Sequence, residues 1–406
     1  MQKAIWPLVT LLLGFALLQM SNGLQGTLLA VRAGLEGFGG AVTGLIMSGF
    51  FAGLSLGSFT APRLIDGVGH IRTFAGLASL ASAAALMHLA FIDPYVWIAV
   101  RICTGFAFAG LIIVTESWLN ASVSSAQRGR LLAIYGMVGM AAGAAGQFLL
   151  NLGDPAEFIL FVLVSIVMSL ALVPISLTRI EGPRAEEGQE PPSLKRLWGL
   201  SPYGAVTAAL VGASIGTFYG LAPLFAQQLG YAQSQIALLI AAFTIGGLIL
   251  QFPLGWLSDR MSRRALGIGL ALAGGVLMLV TFPFEAPSRT LLLVLGFAIG
   301  GLVLPAQAIV IAHGNHRAPG SAILAVSGGL VLMQGIGAAL GPFLAGLLLD
   351  LVGPRGLPLA LAAFQFCIFG WGLLRVMVRS DPETIERRAA PPLTAHPVEG
   401  DLSREG

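Results

Sequence analysis

A series of long apolar runs constrains the fold of this chain more than any other feature. A helix needs about 20 apolar residues to cross the hydrocarbon core of a bilayer, and the chain contains about twelve runs of that length. By residue number they lie at about 7–30, 40–62, 73–92, 95–119, 131–151, 157–178, 202–226, 235–257, 265–284, 290–312, 321–349 and 357–378. Only 10% of the residues are charged, against roughly 25% in soluble domains. The sequence therefore predicts an all-α membrane protein with about twelve transmembrane helices.

Positive charge favours one side of these helices. If the N-terminus is cytoplasmic, the cytoplasmic loops and ends hold 18 of the 22 Lys and Arg residues: Lys3, Arg63, Arg72, Arg128, Arg130, Arg179, Arg184, Lys195, Arg196, Arg260, Arg263, Arg264, Arg317, Arg375, Arg379, Arg387, Arg388 and Arg404. Cytoplasmic loops of membrane proteins are enriched in these residues. The pattern predicts a multi-pass protein of a bacterial inner membrane with both termini cytoplasmic. It also argues against a nucleic-acid partner, because the basic residues are scattered between apolar runs.

A polar segment divides the runs into two groups of six. Residues 179–201 contain four glutamates and the pair Pro191-Pro192, without an apolar period. This composition is typical of a segment with no packed core. We predict a cytoplasmic linker at 179–201 between bundles at 1–178 and 202–379, followed by a disordered cytoplasmic tail at 380–406.

Two internal similarities relate the groups of six. Asp66 follows the second run and Asp259 follows the eighth, 193 residues later, each beside arginines. Glycines recur through the fifth and eleventh runs, at Gly136, Gly139, Gly143 and Gly146 and at Gly335, Gly337 and Gly341. Small residues at this spacing form close helix-packing faces in membranes. The repeat predicts two pseudo-symmetric six-helix bundles.

Several motifs resemble those of the major facilitator superfamily over nearly the whole chain. The segment from Gly255 to Arg264 closely resembles that family's loop signature G-x-L-S-D-R-x-x-R-R, and the segment from Arg101 to Gly105 is similar to the R-x-x-x-G motif of its fourth helix. The copy in the first half departs from the signature, with Pro62 where Gly is usual and Gly67 where Arg is usual. A latch built from that copy is expected to be weaker.

The fifth and eleventh runs differ in how closely they match a motif of the family's antiporters. The eleventh run is similar to the G-x-x-x-G-P motif that antiporters of the family carry in helix five, whereas helix five here has the glycines without the proline. This departure counts against antiport. More narrowly, the segments at 116–120, 128–129, 251–255 and 313–315 resemble a YcaD-like bacterial branch of the family.

The resemblance implies a function and a set of residues. It implies a secondary transporter whose two bundles rock about a central cavity, and a conformational latch at the loops formed by Asp66, Arg72, Gly255, Asp259, Arg260, Arg263 and Arg264. The alternative for Asp66 and Asp259 is that they are solvated charges that only fix topology.

Two charged residues lie within predicted membrane helices, Arg101 and Glu116. Such charges are costly in a bilayer and tend to face a cavity. Fifteen residues of helix separate them by about 22 Å, so they cannot pair directly. By the resemblance, Arg101 acts in coupling or contacts a substrate anion; alternatively it caps neighbouring carbonyls. Glu116 is the candidate for reversible protonation. The alternatives are that Arg128 or Arg130 holds its carboxylate, or that it bonds Ser117 and Asn120.

Amides and aromatics supply a candidate substrate cavity. Gln19, Asn22 and Gln25 recur every third residue, which places them on one helix face with a slow drift. Further candidates are Tyr135, Gln147, Tyr219, Gln251, Gln307 and Gln334. The alternative is hydrogen bonding between helices. A cavity of this kind suits neutral or amphipathic solutes better than polyanions.

The sequence lacks the motifs of an enzyme or a cofactor site. Cys103 and Cys367 are far apart and lack metal-ligand spacing, and neither a phosphate-binding loop nor a dinucleotide fingerprint follows a predicted strand. We predict no enzymatic activity, no cofactor and no metal site. We expect a monomer in the lipid bilayer that exports a small organic solute, with transport coupled to H+. The alternatives are an uncoupled facilitator or importer, and a non-transporting receptor or scaffold, which would have no need of two latch loops.

Overall fold

A computed structural model describes residues 2–176, 194–280, 288–319 and 322–378. Over these ranges the regular structure is helical throughout, which confirms the all-α prediction. The predicted tail at 380–406 and the predicted linker up to residue 193 lie outside the described residues.

Fourteen α-helices make up the described part of the chain. In order they are α1 (Gln2–Leu35), α2 (Gly40–Val68), α3 (His70–Ala90), α4 (Pro94–Ala121), α5 (Ser125–Phe148), α6 (Ile159–Leu170), α7 (Leu172–Ser176), α8 (Leu194–Leu200), α9 (Pro202–Gln228), α10 (Gln233–Arg260), α11 (Arg263–Val280), α12 (Arg289–His316), α13 (Ile323–Val352) and α14 (Gly356–Val378).

Within the described ranges, 11 segments are long and apolar enough to cross a membrane. The last of them has 54 residues and comprises two helices, α13 and α14, which are joined by the 3-10 turn Gly353–Arg355. Gly353 has a φ of 67°, a left-handed conformation that favours glycine. Since each of these helices has the roughly 20 residues that a crossing requires, the helices provide twelve crossings.

Polar residues at the membrane surface set several helix starts. Asp93 precedes α4 and accepts hydrogen bonds from the backbone N–H groups of Tyr95 at 2.9 Å and Val96 at 3.0 Å. Ser201 caps α9 in the same way through the N–H of Gly204. In both helices the first residue is a proline, which needs no hydrogen-bond acceptor for its nitrogen. These caps satisfy backbone donors that the helix itself leaves without partners.

The helices form two halves, each with its own core. The first half (α1–α7) is centred on large buried side chains such as Phe15, Trp97 and Phe161. The second half (α9–α14) is centred on Phe218, Phe243 and others. We call the face at which α1 begins and α14 ends the termini face, and the opposite face, where α1 ends and α2 begins, the distal face.

The two halves contain equivalent helix crossings. Where α2 crosses α4, a Cβ at Gly105 would overlap the carbonyl of Phe50. Where α10 crosses α12, a Cβ at Gly300 would overlap the carbonyl of Phe243. Backbone therefore touches backbone in both crossings, which only glycine permits.

The predicted glycine faces of the fifth and eleventh spans also pack closely. In α5, Gly146 lies against the Met20 carbonyl of α1, and in α13, Gly337 and Gly341 lie against carbonyls of α9. Gly136 is an exception, since a Cβ there would meet no atom within 4 Å. The prediction is thus confirmed for most of these glycines.

Candidate functional site

A cavity of about 290 Å³ lies between the two halves. Helices α1, α2, α4 and α5 of the first half line it, together with α9 and α10 of the second. Five of the predicted site residues border it: Gln19, Asn22, Arg101, Gln147 and Tyr219. Apolar and aromatic side chains complete the wall, among them Met47, Phe50, Phe51, Met140 and Ile215.

Other predicted cavity residues lie outside this lining. Gln251 is exposed on α10, while Gln307 and Gln334 are partly buried on α12 and α13. Gln25 is fully buried and does not border the cavity. Three residues of helix fall about 60° short of a full turn, so the stripe that begins at Gln19 and Asn22 has turned away from the cavity by Gln25.

Most polar groups of the cavity bond one another. The Thr27 hydroxyl donates to the Gln147 side-chain oxygen, and the Gln147 amide donates to the Gly23 carbonyl at 3.1 Å. The hydroxyls of Tyr219 and Thr244 lie 3.0 Å apart. These bonds join α1 to α5 and α9 to α10, so each is internal to one half.

Arg101 is the one charged side chain among the lining residues that the structure describes. It is 4% exposed, and its guanidinium carbon lies 4.5 Å from the centre of the Phe50 ring. This is the geometry of a cation–π contact. Its Nε and Nη1 atoms are buried without a hydrogen-bond partner in the described part of the chain.

Glu116 lies farther along α4 than Arg101, and its contacts are with residues other than those that line the cavity. Its carboxylate accepts a hydrogen bond from the Tyr135 hydroxyl of α5, and the Tyr135 ring stacks on Phe15 at 4.0 Å between ring centres. The side chains of Arg128 and Arg130, the predicted alternative partners, are exposed. Tyr135, predicted as a cavity residue, is thus buried and bonded to Glu116 instead.

Sequence reasoning missed a pair of contacts that join the halves at the distal face. The Asp350 carboxylate at the end of α13 accepts hydrogen bonds from the N–H groups of Gly40 at 2.6 Å and Ala41 at 2.8 Å, at the start of α2. At the equivalent junction, the Gln233 amide of α10 donates to the carbonyls of Leu150 and Gly153, just after α5. We call these two contacts the distal clamp. The sequence signal that could have identified Asp350 is its position, because it is an acidic residue at the end of a helix in a chain with few charged residues.

The predicted latch residues lie at the termini face. Asp259 lies 3.7 Å from Arg263, Arg260 stacks on Trp256, and the Arg264 guanidinium donates to the Arg375 carbonyl at 3.4 Å. These contacts are all within the second half. In the first half, Asp66 and Arg72 are exposed. Gly255 lies in α10, ahead of the turn into α11.

A second, apolar pocket of about 320 Å³ lies within the second half. Residues of α9, α10, α11, α12 and α14 line it, including Phe218, Leu239, Met278 and Gly296, with Arg355 also in its wall. Across the described ranges, no group of three His, Cys, Asp or Glu side chains is placed to hold a metal ion.

Comparison with known families decides the class of protein. A family model described as the Major Facilitator Superfamily matches residues 11–231 and again residues 204–404. The chain belongs to the major facilitator superfamily. This family consists of membrane transporters rather than enzymes.

Relatives within the superfamily share most of the chain. An uncharacterized MFS-type transporter YcaD of Escherichia fergusonii is 27% identical over 366 residues, which cover 89% of this chain and 93% of that protein. The YcaD of Salmonella typhimurium is 26% identical, with the same coverage. These matches confirm the predicted resemblance to YcaD-like transporters.

Solved structures of the superfamily share the fold. A variant of the nucleoside transporter NupG superposes with a TM-score of 0.79 at 14% identity, covering 91% of this chain and 99% of that one. A bacterial homolog of the human lysosomal transporter Spinster superposes with a TM-score of 0.74 at 16% identity, covering 93% and 99%. The chain is therefore a multi-pass membrane transporter with the major facilitator fold.

Proposed function

We propose that this transporter moves a small amphipathic organic solute across a bacterial inner membrane by alternating access, as a monomer. The observation that carries the proposal is the position of the central cavity, whose wall is shared by both halves. A site of this kind is opened to one face and closed to the other when the halves rock. The halves are joined at the distal face by the distal clamp, and from this we infer a state that is closed there and open toward the termini face.

Cysteine accessibility tests this proposal. Met140 borders the cavity, and the native cysteines Cys103 and Cys367 are free thiols, so Met140→Cys is placed in a background of Cys103→Ser and Cys367→Ser. A membrane-impermeant thiol reagent should reach residue 140 from either side of sealed vesicles.

A disulfide across the distal clamp provides the control. Ala41→Cys with Asp350→Cys joins two residues that already touch, and oxidation should abolish the reaction from the distal side alone. Reaction from one side both with and without the disulfide contradicts alternating access. That result would favour a non-transporting receptor or scaffold.

We infer that the transport is coupled to H+ through Glu116 and that its direction is export. Glu116 is partly buried within α4 and is bonded to a neutral phenol rather than to a cation. A carboxyl in such surroundings is suited to reversible protonation. An uncoupled facilitator or importer is the alternative.

Proteoliposomes loaded with a pH-sensitive dye distinguish these functions. A panel of small carboxylates and amides is added under a pH gradient, and solute-dependent proton flux is recorded. Glu116→Gln should abolish the flux but not solute binding, whereas Glu157→Gln, an exposed residue of the loop after α5, should leave both unchanged. Solute movement by the parent protein that is independent of the pH gradient would support the uncoupled alternative.

We propose that both termini are cytoplasmic, on the basis of the loop charges. Alkaline phosphatase is active only outside the cytoplasm, so a fusion after Glu36 should be active and a fusion after Ser122 inactive. The reverse pattern contradicts the proposed orientation.

A further inference from the structure

The charge balance of the central cavity indicates the class of its ligand. The lining holds amides, hydroxyls, thioethers and aromatic rings, and among its described residues Arg101 is the one charged group. A buried cation is strongly destabilising unless an anion or hydrogen-bond acceptors compensate it. Arg101 has two buried nitrogens without acceptors.

The carboxylates nearest in sequence do not supply the compensation. Glu116 is about 22 Å away along the axis of α4 and bonds Tyr135. Asp93 is eight residues before Arg101, about 12 Å along the axis, and its carboxylate caps the start of α4. His88 of α3 also lies near Arg101, but its Nδ1 atom is engaged by the Ala84 carbonyl and the ring offers no negative charge.

The other polar groups of the cavity are largely engaged with one another. Gln147 bonds Thr27 and Gly23, and Tyr219 bonds Thr244. The guanidinium therefore offers the strongest unmet polar interaction of the wall. Its planar, forked donors match the two oxygens of a carboxylate.

The rest of the wall indicates what the carboxylate is attached to. Phe50 covers the face of the guanidinium, and Phe51, Met47 and Met140 extend the apolar surface. The cavity has a volume of about 290 Å³. A cavity of this size accommodates a compact aromatic or branched body.

We infer that the solute of this transporter is a monocarboxylate with a compact apolar body, and that Arg101 is its specificity-determining residue. The inference rests on the proposed function, because it assigns a substrate class to the cavity of that transporter. It selects, from the neutral and amphipathic solutes that the sequence predicted, the amphipathic ones that carry one negative charge.

A series of matched ligands tests the inference without any mutation. Phenylacetate and indole-3-acetate are compared with their amides, phenylacetamide and indole-3-acetamide, and with the cation phenethylamine, by calorimetric titration and thermal shift of the purified full chain. The acids should bind at least tenfold more tightly than the amides or the amine. Equal affinity of acid and amide, or preference for the amine, overturns the inference.

Two further probes test the size and shape of the body. Acetate has the carboxylate without the apolar body and should bind at least tenfold more weakly than phenylacetate. Palmitate, with a long acyl chain, should also bind more weakly. Equal or tighter binding of either one contradicts the assignment of a compact apolar body.

Variants then assign the preference to one side chain. Arg101→Gln should abolish the difference between acid and amide, and Arg101→Lys should restore part of it, since lysine keeps the charge but not the fork. Arg264→Gln is the matched control, because Arg264 has the same exposure of 4% and lies outside the cavity. Its loss should act equally on acid and amide binding. A preference for acids that survives Arg101→Gln contradicts the role of Arg101.

The outcome is separable from that of the proposed function. If residue 140 reacts from both faces but acids and amides bind equally, alternating access stands and the substrate class is wrong. If acids are preferred but residue 140 reacts from one face alone, the ligand class stands and the transport cycle is wrong.

Discussion

The crossing of α2 with α4 and the crossing of α10 with α12 share the same close backbone packing but differ in the side chains beside it. Gly105 meets the Phe50 carbonyl in the first half, and Gly300 meets the Phe243 carbonyl in the second. One turn before these glycines, α4 carries Arg101 while α12 carries Gly296.

The aromatic partners differ accordingly. Phe50 covers the Arg101 guanidinium and borders the central cavity. Phe243 instead stacks on Phe218 at 3.8 Å between ring centres, and Gly296 lines the apolar pocket of the second half. The repeated backbone packing thus supports the fold in both halves, whereas the charged side chain that faces the cavity, among the described residues, belongs to the first half.

The largest expected effect separates the two phenylalanines. Phe243 is 1% exposed within the second core, so Phe243→Ala should lower the free energy of unfolding by about 3–5 kcal/mol. Phe50 borders a cavity on one side, so Phe50→Ala should cost less stability but weaken the binding of phenylacetate. Thermal denaturation and titration of both variants measure the two effects. A loss of phenylacetate binding in Phe243→Ala at temperatures where this variant is folded would contradict the different roles assigned to Phe50 and Phe243.

Alanine substitutions at the crossing glycines test whether the two crossings share the same close backbone packing. Gly105→Ala and Gly300→Ala place a Cβ against a backbone carbonyl, and each should lower the free energy of unfolding by roughly 1–3 kcal/mol. Gly76→Ala in α3 is the control, because a Cβ there meets no atom within 4 Å and should stabilise the helix slightly. Thermal unfolding of the three variants provides the measurement. A large effect in only one of the two crossings would show that they are not equivalent.

Substitutions at the two contacts of the distal clamp should have effects of intermediate size. Asp350→Asn removes the charge that faces the start of α2. It should destabilise the state that is closed at the distal face by about 1–2 kcal/mol, which is roughly a tenfold change in the population of that state. Gln233→Leu removes hydrogen bonds between neutral groups and should have the smaller effect. Spin labels at Leu35→Cys and Leu351→Cys, in a background without native cysteines, report the distance between the halves. An effect of Gln233→Leu equal to that of Asp350→Asn would contradict the ranking.

Asp66 and Asp259, which lie in the last turns of α2 and α10 rather than in loops, are expected to affect stability least. Asp66 and Asp259 are both exposed, so Asp66→Asn and Asp259→Asn should change the free energy of unfolding by less than about 0.5 kcal/mol. Asp259 has Arg263 at 3.7 Å, so Asp259→Asn should slow the exchange between the two open states more than Asp66→Asn does. The rate at which Met140→Cys is labelled from the distal side measures this exchange. Unchanged rates in both variants would leave Asp66 and Asp259 as determinants of topology alone.

The sequence predicted the helices well because run length and hydrophobicity are local properties. The predicted spans at about 321–349 and 357–378 correspond closely to α13 and α14, and the span at about 235–257 to α10. The central cavity is also bordered by five residues that the sequence had singled out, since a polar residue in an apolar helix must face a polar partner or a cavity: Gln19, Asn22, Arg101, Gln147 and Tyr219.

The remaining features depend on neighbours that are distant in the chain. Asp350 lies 310 residues from its partner Gly40, and a backbone N–H carries no side-chain signature. Periodicity places Gln25 near the Asn22 face, but only the packing of α1 against its neighbours determines where the cavity wall ends. The same limit applies to Gln251. The sequence predicted that it lies in a helix, but its exposure depends on which side of α10 the other half occupies.

The buried arginine also bears on how the protein is assembled in the membrane. An arginine at the centre of an isolated helix costs about 2.5–3.5 kcal/mol on insertion into a bilayer, and less toward the helix end. Arg101 lies in the first third of α4, so α4 bears part of this cost as a lone segment until α2 brings Phe50 over the guanidinium. The equivalent helix α12 has Gly296 at that position and carries no such burden. Biogenesis of the first half is therefore expected to depend on early pairing of α2 with α4, whereas α12 can enter the membrane before its partners are in place.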